Sequence, residues 1–259
     1  MKLLKKYQAI AERTAIEAGS FLMKNLGKIK SIHYKGRMNL TTNVDKKCEA
    51  LIVERVRSAF PEHSLLCEET GKGGAKETTF RWLIDPLDGT TNYTHGFPFF
   101  SVSIGLLEGN KLLVGVVYDP TRDELFSAAR GCGAYLNKKR IRVSRVRKLN
   151  HALLVTGFPY RFGKDMNRSI ENFRRFMLKA QAVRRAGSAA LDLCYVAMGR
   201  FDGFWEAGLH PWDTAAGAII VEEAGGRMTT FDGESFSPFR KEMIGTNSHI
   251  HNQMIKVLK

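Results

Sequence analysis

Residues 82 to 98 constrain this chain more than any other stretch, reading Trp82-Leu83-Ile84-Asp85-Pro86-Leu87-Asp88-Gly89-Thr90-Thr91-Asn92-Tyr93-Thr94-His95-Gly96-Phe97-Pro98. The apolar run Trp82-Leu83-Ile84 reads as a buried strand that delivers Asp85 at its carboxyl end. Pro86 has no N–H to give to a ladder, which predicts a turn at that residue. The turn brings the carboxylates of Asp85 and Asp88 to one point. Gly89 lets the backbone approach a ligand closely. Thr90 and Thr91 are good N-caps for a short helix, whose unpaired N–H groups suit an anion. Two carboxylates for a hard cation and a helix start for a phosphate are the layout of a metal-dependent phosphate site. An Asp-Pro-x-Asp-Gly string after a strand is also an ordinary turn, so the reading needs partners elsewhere in the chain.

At 259 residues the chain forms one large domain or two modest ones, each able to bury a core. No apolar run approaches the ~18–20 residues that span a bilayer. The basic start Met1-Lys2-Leu3-Leu4-Lys5-Lys6 is not followed by the apolar core and cleavage site of a signal peptide. Cys48, Cys67, Cys132 and Cys194 are widely spaced and match no zinc or CxxC pattern. A cytoplasmic protein with reduced thiols is expected. The net charge of +14 suits an anionic substrate, or nucleic acid. Its densest cluster is Lys138, Lys139, Arg140, Arg142, Arg145, Arg147 and Lys148, read as a solvated hairpin and linker or as a patch for RNA or an acidic protein.

Apolar positions from Leu3 to Leu26 predict an amphipathic helix ended by Gly27. A second helix is expected over about 43–59, with Asp45 in its first turn, where the helix dipole favours a carboxylate in any case. A short strand then ends in Leu65-Leu66-Cys67-Glu68-Glu69-Thr70. Alternation lets only one of the two glutamates enter a given site. Lys72 to Glu77 reads as a surface loop. Strands follow at Phe99 to Leu107, Leu112 to Tyr118, Glu124 to Ala129 and Ala134 to Arg142, in one antiparallel sheet. The segment around Arg145 marks the domain boundary. Beyond it come a strand at Leu153 to Val155, a helix over Met166 to Lys179, and a strand, glycine turn and helix start at Val183 to Ala190. Pro211 suits the first position of a further helix, with Asp213 in its first turn and Ala215, Ala216 and Gly217 small enough for close packing on a sheet.

Taken together these blocks resemble the inositol monophosphatase family. Asp85, Pro86, Leu87, Asp88, Gly89, Thr90, Tyr93 and His95 fit its first signature, and Trp212 to Gly217 followed by Glu223-Ala224-Gly225-Gly226 is similar to its second. Lys35, Asn39, Leu40, Thr42 and Asp45 fall on the family's upstream frame. The resemblance implies a layered αβαβα sandwich of the inositol monophosphatase and fructose-1,6-bisphosphatase type. Residues 1–145 would form an α+β half and 146–259 an α/β half, the whole usually a homodimer.

The resemblance also implies an activity, the magnesium-dependent, lithium-sensitive hydrolysis of myo-inositol 1-phosphate or a related polyol phosphate. It assigns one Mg²⁺ to Glu68, Asp85 and the Leu87 carbonyl, and a second to Asp85, Asp88 and Asp213, with a weaker third near Glu68. All-oxygen ligation suits magnesium. Gly89 and Thr90 amides would hold the phosphate. Asp45 would bond the Thr90 hydroxyl, and Thr90 with Glu68 would hold the attacking water. His95 is structural on this reading. Glu206 would bind an inositol hydroxyl, beside a pocket lined by Gly187, Ser188 and Ala189. Cys67 and Ser188 depart mildly from the family pattern. Fructose 1,6-bisphosphate and 3′-phosphoadenosine 5′-phosphate are the alternative substrates, with Arg184 and Arg185 as the added cations. Binding of RNA or the transcription machinery through the basic surface is the alternative of another class.

Overall fold

The computed structural model describes residues 2–29, 31–34, 40–74, 78–160 and 163–259. Lys35 and Asn39 of the upstream frame lie outside the described residues. The chain opens with α1 (Lys2–Asn25), which buries Tyr7, Ala11, Ala15, Ala18 and Leu22 at helical spacing. Strand β1 (Ile32–Tyr34) pairs antiparallel with β2 (Leu40–Thr42), which runs into α2 (Asn43–Ala59). Next come β3 (Ser64–Cys67), β4 (Gly71–Gly74), β5 (Phe80–Asp88) and the short α3 (Thr90–Thr94). A meander follows, of β6 (Ser101–Glu108), β7 (Lys111–Asp119), β8 (Glu124–Ala129), β9 (Gly133–Leu136) and β10 (Lys139–Arg140). The remainder alternates: β11 (Leu153–Thr156), α4 (Lys164–Met177), β12 (Ala182–Arg184), α5 (Ala189–Ala197), β13 (Gly203–Ala207) and α6 (Pro211–Glu223). It closes with β14 (Arg227–Thr229), β15 (Glu242–Thr246) and α7 (His251–Leu258).

The strands form an eight-stranded sheet in the order β10-β9-β8-β7-β6-β5-β3-β4 and a five-stranded sheet in the order β12-β11-β13-β15-β14. Helices α1 and α2 cover one face of the larger sheet. Helices α5 and α6 fill the space between the sheets, and α4 and α7 lie on the outer face of the smaller one. The layers run α-β-α-β-α, so this is a mixed α/β sandwich. Among the described residues no helix is long and apolar enough to cross a membrane.

Small residues set how closely the central layer docks. A Cβ on Gly115 in β7 would lie 2.4 Å from the Ala216 carbonyl of α6, and one on Gly105 in β6 would lie 3.0 Å from Ala215 Cβ. The helix therefore rests on bare backbone, which fixes the height of its first turn above the sheet.

Three local expectations fail. Pro86 does not end its strand: β5 continues through it to Asp88 by a β-bulge, one of the few places where a ladder accepts proline. Residues 134–142 are a hairpin of β9 and β10, not one strand, because Asn137 and Lys138 turn the chain at φ of 46° and 67°. Lys72 belongs to β4 on the sheet edge and not to a loop; 75–77 lie outside the described residues.

Candidate active site

The bulge is what brings the two aspartates together. Residues three apart in a regular strand face opposite sides. Here Asp85 pairs with Ser103 and Asp88 with Ser101, so three steps on β5 match two on β6. Leu83 faces the layer of α5 and α6, whereas Leu87 is displaced into the core under α1 and α2. Asp85 and Asp88 consequently line the same cavity, on the side of α5 and α6. Gly89 follows at φ 95° and is itself the N-cap of α3, correcting the assignment of that role to Thr90 or Thr91. A Cβ there would sit 3.0 Å from the Phe99 carbonyl and 3.2 Å from that of Gly187.

Four acids from three segments line this cavity: Glu68 just past β3, Asp85 and Asp88 on β5, and Asp213 in the first turn of α6. Protein donors engage one oxygen of each aspartate. The Leu87 N–H donates to Asp85 Oδ1 (2.9 Å), and Ser188 Oγ (2.7 Å) and the Ala190 N–H (2.8 Å) donate to Asp88 Oδ2. The His210 N–H donates to Asp213 Oδ2 (2.7 Å). With the aspartates turned to these donors, no three acidic, histidine or cysteine side chains among the described residues are gathered closely enough to enclose an ion as they stand. Their chemistry nevertheless fits a divalent cation. Burial, then Glu68, Asp88 and Asp213, push the Asp85 carboxyl well up. Burial raises Asp88 to about 6 against the pull of its two donors and of Arg185. Burial and then Asp88 raise Asp213. Magnesium ions held by Glu68, Asp85 and the Leu87 carbonyl, and by Asp85, Asp88 and Asp213, would relieve that repulsion through oxygen ligands alone.

Asp45 approaches from α2. It is fully buried at the third position of the helix, in a capping box with Thr42. The Thr42 N–H (2.9 Å) and hydroxyl (2.5 Å) donate to its Oδ2, and the Thr90 hydroxyl lies 3.0 Å from its Oδ1. Thr90 Oγ1 is also 3.0 Å from the Leu87 carbonyl, so its single proton has two acceptors. Burial pushes the Asp45 carboxyl up while these three donors pull it down.

One turn along α2, Glu49 had no place in the sequence reading. It is buried, and its carboxylate accepts the N–H groups of Glu69 (2.7 Å) and Thr70 (2.9 Å). That clamp fixes the turn from which Glu68 reaches the cavity. The spacing Asp45 to Glu49 was a signal, since residues four apart share a helix face.

Across the cavity, Glu206 on β13 is buried, and burial raises its carboxyl to about 8. It packs on Gly157, where any Cβ would lie 2.2 Å from Oε2. Gly187, Ser188 and Ala189 also line the cavity, with Ser188 as N-cap of α5. Asn92 Nδ2 ties α3 to this wall through the carbonyls of Phe99 (2.7 Å) and Ala186 (2.9 Å). Arg185 lines the cavity and Arg184 does not.

The sequence matches the inositol monophosphatase family over residues 3–259. The chain belongs to that family. It is 44% identical over 252 residues to a Haemophilus influenzae protein named Nus factor SuhB, covering 96% of this chain and 94% of that one. It is 42% identical over 261 residues to the fructose-1,6-bisphosphatase/inositol-1-monophosphatase of Aquifex aeolicus, covering 100% and 97%. The solved structure of inositol monophosphatase from Anabaena matches at a TM-score of 0.87 and 42% identity, covering 98% and 96% of the two chains. Membership of the inositol monophosphatase family makes this a phosphatase of that superfamily. Within the family pattern, Cys67 is buried at its unusual position, and the Ser188 hydroxyl is committed to Asp88.

Proposed function

We propose that the protein is a magnesium-dependent phosphomonoesterase that hydrolyses myo-inositol 1-phosphate or a related polyol phosphate. The observation that carries this is the meeting of Glu68, Asp85, Asp88 and Asp213 at one cavity, with Thr90 on one wall, backed by the buried Asp45, and Glu206 on another. Magnesium, when bound, supplies the positive charge that offsets the phosphate oxygens during in-line displacement. The Gly89 and Thr90 amides hold the phosphate. Thr90 turns its proton to Asp45, leaving a lone pair to orient the attacking water together with Glu68. Asp45 takes up the proton relayed through Thr90. No phosphoenzyme forms, since no side chain at the site serves as nucleophile. Glu206 accepts a ring hydroxyl.

A substrate panel assayed with and without magnesium tests the reading. Activity abolished by chelator, inhibited by lithium and higher on inositol 1-phosphate than on 3′-phosphoadenosine 5′-phosphate or fructose 1,6-bisphosphate is the expected outcome. Full activity in excess chelator overturns the metal role, and a clear preference for the nucleotide overturns the substrate class. The same chain is expected to sediment as a homodimer.

A second role rests on a separate observation. Lys138, Lys139, Arg140, Arg142, Arg145, Arg147 and Lys148 are all exposed on the β9–β10 hairpin and the segment after it. A relative named as a Nus factor adds to the case for RNA or transcription-complex binding. Affinity for RNA that falls steeply with salt, and loses that slope when these residues are neutralised, is the signature to look for.

A further inference from the structure

Asp192 lies in the first turn of α5, within the apolar run Ala189 to Ala197. It is 1% exposed and lines the same cavity as Glu206 and Asp88. Its Oδ1 is buried and has no hydrogen-bond partner among the described residues. A buried carboxylate oxygen without a donor is strongly disfavoured, so one that is retained calls for an explanation. Packing supplies none: a leucine of similar volume would suit a helix buried on every side.

The neighbours say what kind of donor is missing. Glu206 and Asp88 are acids that raise the Asp192 carboxyl, after burial itself, and Arg185 is the cation that lowers it. Arg185 is exposed at the cavity wall and is shared with Asp88 and Glu206. A further anion would meet Asp88, Glu206 and Asp192 in a pocket whose burial already disfavours charge. A neutral O–H donor meets no such opposition and gives the unpaired buried oxygen the hydrogen bond it lacks.

We propose that Asp192 is a specificity residue whose carboxyl turns into the cavity when substrate enters and accepts a hydroxyl beside the one accepted by Glu206. The pocket then selects a phosphomonoester whose alcohol carries hydroxyl groups on neighbouring carbons. This rests on the polyol phosphate reading above. A site whose buried acceptors are filled only by hydroxyls discriminates strongly against an alcohol without them, because the acceptors then stay unpaired.

The test compares kcat/KM for inositol 1-phosphate and for phenyl phosphate, at saturating magnesium, in the wild-type enzyme and in Asp192→Leu, Asp192→Asn and Glu206→Gln. In Asp192→Leu the ratio of the two values falls roughly 10- to 100-fold, mostly through KM for inositol 1-phosphate. Asp192→Asn keeps an acceptor oxygen and restores part of the ratio. The thermal midpoint of Asp192→Leu stays at or above that of the wild type, since an unpartnered buried oxygen has been removed. An unchanged ratio overturns the proposal. So does an equal fall on both substrates, or a lowered midpoint with no change in ratio, both of which mark a structural residue. If Glu206→Gln leaves the ratio intact while Asp192→Leu lowers it, the role given to Glu206 fails and that of Asp192 stands. A wild-type enzyme with no preference for inositol 1-phosphate or glycerol 2-phosphate over phenyl phosphate sinks both.

Discussion

Asp45 has both carboxylate oxygens engaged by protein donors, Thr42 on Oδ2 and Thr90 on Oδ1, whereas the donors to Asp88 all bind Oδ2. The two acids are thereby suited to different work. Asp45→Asn is expected to lower kcat roughly 10²–10⁴-fold, the range of a lost general base, with little change in the magnesium concentration needed. Asp88→Asn should instead raise that concentration. Magnesium titrations of both variants separate the roles; near-normal rates for Asp45→Asn at high magnesium would make Asp45 a ligand. That Glu68, Asp85, Asp88 and Asp213 would face one cavity was legible from the family strings they stand in. Glu49 and Asp192 were not. Glu49 is marked only by sharing a helix face with Asp45, and an aspartate between two leucines has no local mark, so only the fold shows what each faces.

Helices α2 and α6 carry the same device, an aspartate in the first turn whose side chain also takes a donor from the residue that caps the helix. Their positions depend on different supports. For α6 the support is Gly115: a methyl group there meets the Ala216 carbonyl at 2.4 Å and cannot be absorbed by a rotamer change. Gly115→Ala should lower stability by about 1–3 kcal/mol and lift Asp213 from the cavity, read as a lower thermal midpoint with a higher magnesium requirement. For α2 the support runs outward through Glu49. Glu49→Ala leaves the Glu69 and Thr70 amides without their acceptor, at about 1–3 kcal/mol for each group that stays buried and unpaired. Its magnesium requirement should rise while that of Asp45→Asn does not. Most elements were legible from periodicity to within a few residues. The β9–β10 turn was placed wrongly, inside a strand over residues 134–142, because neither glycine nor proline marks it and Lys138 holds a left-handed φ of 67° that lysine seldom adopts.

Across the whole molecule, the larger sheet supplies Asp85 and Asp88, and α5 and α6 bring Ser188 and Asp213 to them, so the site exists only when the layers are docked. Global stability therefore bears on activity. One buried group makes that stability depend on pH. His251 of α7 is fully buried between the hydroxyls of Thr229 and Thr246 (2.9 Å each), and burial lowers its pKa to about 4. The unfolded chain, with an ordinary value near ~6.5, takes up the proton first as pH falls. The stabilisation is thus complete above pH ~6.5 and is lost between there and about 4, up to about 3 kcal/mol. Urea midpoints at pH 4.5 and 7.5 should differ less in His251→Gln than in the wild type; an equal difference would show that other groups govern the acid limb.

The bulge in β5 makes the distance between Asp85 and Asp88 a question of parity. Substitutions at Pro86 or Leu87 that keep the count change packing alone. Deleting either residue restores a regular strand with Asp88 an even step from Asp85 and still opposite Ser101, but removes the surplus residue by which Leu87 reaches both the core under α1 and α2 and the cavity wall. Inserting one residue has the mirror effect. Over this stretch side chains can be exchanged but a residue cannot be gained or lost, and a graft of the aspartate pair onto another sheet succeeds only if the surplus residue travels with it.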